Sequence, residues 1–158
     1  MLSEALDQLE AEGYRVAAAP VDRLRELRGH YEDLSRRGVL DESIAGDFLK
    51  YLSFRPPDGF SNPASLVVIA TGDPIVRCTF SWNGADFEVP VPPTYLHLRR
   101  ENNKATERLE QLLPEGHAEC MMNAPHKLLA VRSGLAQYGR NNITYISGLG
   151  SFYSLTTA

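Results

Sequence analysis

The sequence predicts an α+β fold in which helices pack on a mainly antiparallel sheet. Apolar residues such as Leu24 and Leu27 recur at helical spacing in several segments. Ser65–Thr71 is an apolar run of strand length, typical of a central strand covered on both faces. Asn83-Gly84 lies between two alternating runs, which is the strongest short signal for a β-hairpin. With 158 residues, the chain has the length of a single domain with its own hydrophobic core.

The N-terminal third predicts three helices and one strand. Helices are predicted where apolar residues fall on one face, and the strand where side chains alternate in character. In chain order these are a helix from about Leu2 to Gly13, a strand at Tyr14–Val21, a helix from Asp22 to about Arg37 and a helix from about Asp41 to before Pro56. The second helix carries charges of both signs on its outer face, which favours solvent exposure over a binding patch.

The middle of the chain predicts a hairpin, a helix and a short strand. The hairpin extends over Pro74–Pro93, and Cys78 inside its first arm is expected to be a small core residue. Arg100–Leu113 has one apolar and one charged face, which predicts an amphipathic helix. His117–Asn123 is predicted to be a short strand that leads into the next helix.

The segment that follows, KLLAVRSGLAQYGRNNITYISGLGS, combines a helix, a basic and amide-rich turn and a strand. Leu128, Leu129 and Val131 predict one buried helical stripe, and Gly139 is placed to end that helix in a left-handed conformation. The cluster Arg140-Asn141-Asn142 then precedes the β-branched and aromatic run Ile143–Ile146. Glycines beside such donors indicate a surface where backbone approaches a ligand closely. A tightly turned core segment, with the arginine capping a helix end, is the structural alternative.

LAVRSGLAQYGRNNITYI followed by GSF resembles the central motif of epoxyqueuosine reductases and related iron–sulfur proteins. In those families the motif has the general form LAVRAGLGWIGKN, followed by a strand, a glycine and a serine. The form SGLAQYGRNNITY is closer to a less-characterised iron–sulfur branch than to true epoxyqueuosine reductases. Arginine stands at Arg140 where lysine is usual, and the matching positions are Ala130, Val131, Arg132, Gly134, Leu135, Gly139, Asn141 and Ile143.

The resemblance implies a redox domain that binds a cofactor. In the wider group a nitroreductase-like α+β domain binds cobalamin, and a ferredoxin-like module with 4Fe-4S clusters supplies electrons to a small or nucleoside substrate. We therefore expect this chain to be the N-terminal domain, with the cluster module absent from it. The same hydrogen-bond donors would serve a flavin or a contact with the ferredoxin module. The implied cofactor-binding residues are Arg132, Gly134, Tyr138, Gly139, Arg140, Asn141, Asn142 and Tyr145.

Three residues just before and at the start of the motif helix are candidates for catalysis. The resemblance places an acidic proton donor near Cys120, with Glu119 beside it. The aspartate expected there is missing, which argues against epoxide reduction of a tRNA base. His126 is the other candidate, because imidazole has an ordinary pKa of about 6.5. A surface histidine at a helix start is the structural alternative.

Composition excludes several classes of function. A net charge of −4 and a pI of about 5.6 argue against a nucleic-acid surface. No apolar run has the length of a membrane span, and the N-terminus lacks the pattern of a signal peptide, so a cytoplasmic protein is expected. Two cysteines are too few for a four-cysteine iron–sulfur site, and no phosphate-binding glycine motif occurs.

Two functional hypotheses remain open. The first is the redox domain of a reductase-like iron–sulfur protein, with cobalamin at Gly134–Asn142 and electrons from a ferredoxin-type donor or the absent module. The second is a non-catalytic docking or scaffold domain for an electron-transfer partner.

Overall fold

The chain folds around a three-stranded antiparallel sheet with helices on both faces. The computed structural model describes residues 1–60, 62–73, 75–91, 98–113 and 117–158, and within its helices the side chains at 44, 48, 98 and 99 are not described. The elements in chain order are α1 (Leu2–Ala11), β1 (Arg15–Pro20), α2 (Arg23–Arg36), α3 (Glu42–Tyr51), β2 (Ser65–Gly72), β3 (Val76–Trp82), β4 (Ala85–Val91), α4 (Leu98–Leu112), α5 (His126–Arg132), β5 (Gln137–Tyr138), β6 (Thr144–Tyr145) and β7 (Tyr153–Thr157). The predicted α+β class is confirmed.

The predicted central strand, β2, is confirmed. Its neighbours are β1 on one side and β7 on the other, and both pairings are antiparallel. Arg15 faces Ala70 in the first pairing, and Val68 faces Thr157 in the second. Five consecutive residues, Leu66–Ala70, are buried, because helices cover the sheet on both faces.

Alternate residues of β2 belong to two separate hydrophobic clusters. Val67 and Ile69 pack with residues of α1 and α4, whereas Val68 and Ala70 pack with residues of α2 and α5. Successive strand side chains point to opposite faces, so the sheet lies between two helical layers. Each fully buried Leu or Ile stabilises the fold by about 1.5–3 kcal/mol relative to exposure. None of the helices in the described part of the chain has the length and hydrophobicity needed to span a membrane.

The predicted hairpin is confirmed as β3 and β4, although its ends at 74, 92 and 93 lie outside the described residues. Asn83 and Gly84 have φ values of 50° and 77°, as a two-residue turn between twisted strands requires. The expectation for Cys78 was wrong, because its side chain is exposed. All residues of β3 are exposed, and the hairpin projects from the sheet as a two-stranded unit of its own.

The end of the motif helix was predicted at the wrong glycine. Helix α5 ends at Arg132, and Gly134 takes the left-handed conformation with φ of 82°. Its N–H donates to the Val131 carbonyl over 3.1 Å, and the Leu135 N–H donates to the Ala130 carbonyl over 2.9 Å. This pair of bonds is the Schellman motif, which satisfies the last carbonyls of a helix.

The predicted strand at 117–123 is also wrong. This segment forms no strand, and one backbone bond joins it to the sheet, from the Met121 N–H to the Thr157 carbonyl over 2.8 Å. The chain turns at Met122 and Asn123, and the bond places Met121 beside the edge of β7.

Candidate functional site

The basic and amide-rich turn lies at the tip of a small hairpin formed by β5 and β6. The Gly139 N–H donates to the Ile143 carbonyl over 2.8 Å, and the Asn142 N–H donates to the Gly139 carbonyl over 3.2 Å. Asn142 has a left-handed φ of 60°, a conformation that asparagine tolerates better than most residues. A Cβ atom on Gly139 would lie 2.6 Å from Cε2 of Tyr145 and 3.0 Å from Oδ1 of Asn141, so these two side chains occupy the space of a side chain at residue 139.

The side chains of the turn divide into two groups. Asn141 builds the turn: its Oδ1 accepts from the Ile143 N–H over 3.3 Å, and its Nδ2 donates to the Tyr145 hydroxyl over 3.4 Å. Arg140 and Asn142 are exposed and have no hydrogen-bond partner among the described residues. The turn is therefore internally bonded while a guanidinium and an amide project from it.

A phenol group joins the small hairpin to strand β7. The Tyr153 hydroxyl donates to Oγ1 of the buried Thr144 over 2.6 Å. Burial raises the pKa of both Tyr31 and Tyr153, and the hydrogen bond with Thr144 offsets part of the rise in the pKa of Tyr153. Tyr31 belongs to α2 and also contacts the Phe54 ring at 5.7 Å between centroids. Tyr138, predicted as a cofactor platform, remains 43% exposed.

A groove of about 480 Å³ runs beside the C-terminal end of α5. Gly134 and Gly148 line it, both with positive φ, together with Ser147 and Arg15. A Cβ atom on Gly148 would lie 3.4 Å from a terminal nitrogen of the Arg15 guanidinium, which bonds to the Tyr14 carbonyl over 3.0 Å. The sequence prediction missed Arg15, because the pairing of β1 with β2 brings it here from a distant position in the chain.

A second and larger cavity, of about 670 Å³, contains the predicted catalytic residue Glu119. The carboxylate is close to Gly59, where an added Cβ would lie 3.4 Å from Oε2. The His117 ring meets Phe60 edge to face, with 5.5 Å between centroids. Most of the remaining lining is apolar, including Leu66, Leu109 and Met121. The cavity offers an acidic oxygen at the margin of an apolar space, a composition typical of small-molecule sites.

The second predicted catalytic residue, Cys120, lies half-buried beside the sheet. Burial raises the pKa of its thiol, a hydrogen bond with Thr106 lowers it, and the Glu119 charge raises it. Its Sγ contacts Sδ of Met122 at 3.7 Å. The raised pKa keeps the sulfur as a neutral thiol near neutral pH, whereas nucleophilic cysteines are thiolates.

The third, His126, uses both ring nitrogens within the fold. Nδ1 lies 2.9 Å from Oγ1 of the buried Thr157, and Nε2 lies 3.3 Å from the Met122 carbonyl. Burial lowers its pKa, and the bond to Met122 offsets part of that effect. The neutral tautomer with its proton on Nε2 satisfies both contacts, because the threonine hydroxyl then donates to Nδ1.

The predicted site residues therefore do not form one cluster. His126 is the first residue of the seven-residue helix α5 and Gly134 lies two residues beyond its last, so the two are about 10 Å apart along the axis. Arg132 is exposed at the C-terminal end of α5. Glu119 faces the apolar cavity, and Cys120 packs beside Met122. Among the described residues, no three His, Cys, Asp or Glu side chains are grouped to hold a metal ion.

A buried polar pair was missed altogether. Thr156 donates to Oδ1 of Asn102 over 2.7 Å, and Thr106 donates to the Asn102 carbonyl over 3.0 Å. Both Thr156 and Asn102 are almost completely buried. Their neighbour on β7, Thr157, bonds to His126 instead, so two consecutive threonines bond to opposite helical layers. The polar sequence of this strand gave no signal of such burial.

Comparison with protein-family models, with curated proteins and with solved structures finds no match for this chain.

Proposed function

We propose that this chain is the cofactor-binding N-terminal domain, of nitroreductase-like type, of a reductase-like iron–sulfur protein. The observation that carries the proposal is the turn Gly139–Asn142, whose backbone and Asn141 are bonded internally while the side chains of Arg140 and Asn142 have no partner among the described residues. The resemblance of the segment to epoxyqueuosine reductases supports a role in cofactor binding for the same residues. In this proposal electrons come from a ferredoxin-type donor carrying 4Fe-4S clusters.

The donor set at the turn fits the periphery of a cobalamin, which carries amide groups and a phosphate. Arg140 would bond to the phosphate, and Asn142 to a side-chain amide, because these groups match in donor and acceptor type. Arg132 is a further exposed cation without a partner among the described residues, at the last residue of α5. Gly134 leaves open space where a side chain would stand, so a ligand can approach the backbone there. A bound corrinoid would supply the reducible cobalt centre.

Of the three predicted catalytic residues, the geometry favours Glu119 for contact with a substrate. It alone lines the large apolar cavity, whereas His126 has both nitrogens engaged and Cys120 has a raised pKa. We propose that Glu119 contacts a small, mostly apolar molecule in that cavity, which contains no residue of the Gly139–Asn142 turn. His126 and Cys120 then stabilise the segment that carries it.

The test is a visible-spectrum titration of the folded protein with hydroxocobalamin and with its reduced cob(II)alamin form. We expect a saturable base-off shift that weakens more than about tenfold in the variant Arg140→Ala/Asn142→Ala, since bonds to charged groups contribute about 1.5–3 kcal/mol. Arg100→Ala is the matched control, because it removes an exposed arginine of α4 on the opposite helical layer.

The outcomes separate the cofactor classes. Saturable binding of flavin mononucleotide in place of cobalamin, lost in the same double variant, would assign the turn to a flavin. No spectral shift with either compound would overturn cofactor binding. An unchanged affinity in the double variant would place the cofactor elsewhere.

A non-catalytic docking domain is the second candidate, and the scattered positions of the three predicted catalytic residues favour it. In that case the turn would contact an electron-transfer partner, and the parent protein would bind a reduced ferredoxin but not cobalamin. The Arg140→Ala/Asn142→Ala variant would bind that ferredoxin more weakly. Ionic-strength dependence of that binding would identify Arg140 as a charge contact.

A further inference from the structure

The hairpin of β3 and β4 has one apolar face that nothing in the described part of the chain covers. Cross-strand partners share a face, and the pairs Val76–Val91, Cys78–Val89, Phe80–Phe87 and Trp82–Ala85 are apolar throughout. The opposite face carries polar and charged residues, among them Arg77, Ser81, Asp86 and Glu88. The Phe80 and Phe87 rings stack at 5.5 Å between centroids. The hairpin is therefore amphipathic, although no second layer of the described fold packs on it.

The exposed area is large for a surface patch. Trp82 is 67% exposed, Phe80 is 51% exposed and Phe87 is 45% exposed. Together with the valines of the same face, these side chains present about 600 Å² of apolar surface, given the size of aromatic side chains. A two-stranded hairpin without further packing is only marginally stable in water, so this face requires a partner.

The edges of the hairpin argue against extension of its sheet. In a two-residue hairpin the residues that flank the turn, here Trp82 and Ala85, form a hydrogen-bonded pair, and bonded and non-bonded pairs alternate from there. Pro90 and Arg77 form a non-bonded pair, so the Pro90 nitrogen faces the free edge of β4. Proline has no N–H to donate, and it blunts an edge against a further strand. The free edge of β3 carries the charged Arg77. Association is therefore favoured on the face rather than along an edge.

We propose that the apolar face of this hairpin packs against the same face of a second copy of the chain, about a two-fold axis. The face carries no charge, and on the opposite face Arg77 pairs with Glu88 while the Ser81 hydroxyl donates to Asp86. A self-complementary face meets its own copy without repulsion. Two faces would bury about 1,200 Å² in total, which lies at the lower limit of stable interfaces. The net charge of −4 disfavours an anionic lipid surface as the occupant.

The experiment is sedimentation velocity over a concentration series, combined with the fluorescence of Trp82. This tryptophan is the only one in the chain, so its emission reports on the face directly. We expect a monomer–dimer equilibrium, with emission that shifts to shorter wavelength as the dimer forms. Phe80→Lys and Val89→Lys, one on each strand, should each raise the dimer Kd by about tenfold or more.

The matched control is Thr79→Lys, which adds the same charge to the opposite face of β3 and should leave the Kd unchanged. Far-UV circular dichroism checks that each variant keeps its fold. A protein that stays monomeric at every concentration would overturn the proposal. This holds whether its Trp82 emission shows exposure to solvent, burial within its own chain, or burial by a different protein or a lipid vesicle. A dimer unaffected by both lysine variants, or broken equally by Thr79→Lys, would also overturn it. The outcome is independent of cobalamin binding.

Discussion

The hydroxyl of Thr157 lies 2.9 Å from Nδ1 of His126 and joins the last strand of the sheet to the first turn of α5. Thr157 is completely buried, and the histidine Nε2 is at 3.3 Å from the Met122 carbonyl. The contact explains why a histidine at a helix start is part of the core contacts rather than free for acid–base chemistry.

The first prediction concerns the pH dependence that follows from this contact. Burial lowers the folded-state pKa of His126 below its ordinary value of 6.5. Below pH 6.5 the unfolded state binds a proton on His126 that the folded state binds less readily. The stability that comes from the neutral imidazole is therefore complete above pH 6.5 and is lost as the pH falls below that value. The slope is at most about 1.4 kcal/mol per pH unit. Urea unfolding, followed by circular dichroism at pH values above and below 6.5, measures this slope.

His126→Gln should flatten that slope, while it lowers stability at higher pH because one buried contact is lost. His30→Gln is the control, since it removes an exposed histidine of α2 and should keep the parent slope. An unchanged slope in His126→Gln would contradict the assigned contact.

The second prediction compares two glycines. Gly134→Ala should lower the free energy of unfolding by about 1 kcal/mol, because its φ of 82° is unfavourable for any residue with a Cβ. Gly29→Ala, in the middle of α2, should raise it by about 0.5–1 kcal/mol, because its surroundings are open and alanine favours helix. Chemical denaturation of both variants checks the opposite signs, and equal signs would contradict the Schellman assignment.

The third prediction tests the packing of Tyr145 over Gly139. A Cβ at residue 139 would displace the ring and break its contact with Asn141, so Gly139→Ala should destabilise the fold by about 1 kcal/mol. In the background Tyr145→Ala the same substitution should cost little, because the clashing ring is gone. A double-mutant cycle gives the coupling energy directly, and additive effects would show that the ring does not occupy this space.

The fourth prediction concerns the buried pair of Thr156 and Asn102. Thr156→Val should cost about 1–3 kcal/mol, because it leaves Oδ1 of Asn102 buried without this donor. Adding Asn102→Leu should restore part of that loss, since an apolar pair needs no hydrogen bond. Thermal and urea unfolding of the single and double variants check it. A double variant as unstable as the sum of the two single ones would contradict the pairing.

Local sequence patterns predicted the elements that depend on near neighbours. The run at Ser65–Thr71 became the central strand β2, because β-branched and aliphatic residues with no polar interruption suit burial on both faces. Asn83-Gly84 formed the hairpin turn, since these residues tolerate positive φ. The motif helix ends before Gly134 and not at Gly139, because the N–H groups of Gly134 and Leu135 bond to the last carbonyls of the helix. No spacing rule distinguishes these two glycines as helix ends.

The sequence alone determined the α+β class, the central strand, the turn of the large hairpin and the position of the basic, amide-rich turn, because each depends on side-chain periodicity or on φ preferences of a few adjacent residues. Only the tertiary structure decided that Arg15 meets Gly148, that His126 is engaged by Thr157 and that Cys78 is exposed. The two contacts join residues far apart in the chain, and the exposure of Cys78 depends on whether another element covers its strand. Their energies depend on which strands pair and which faces are covered, and no local pattern contains that information.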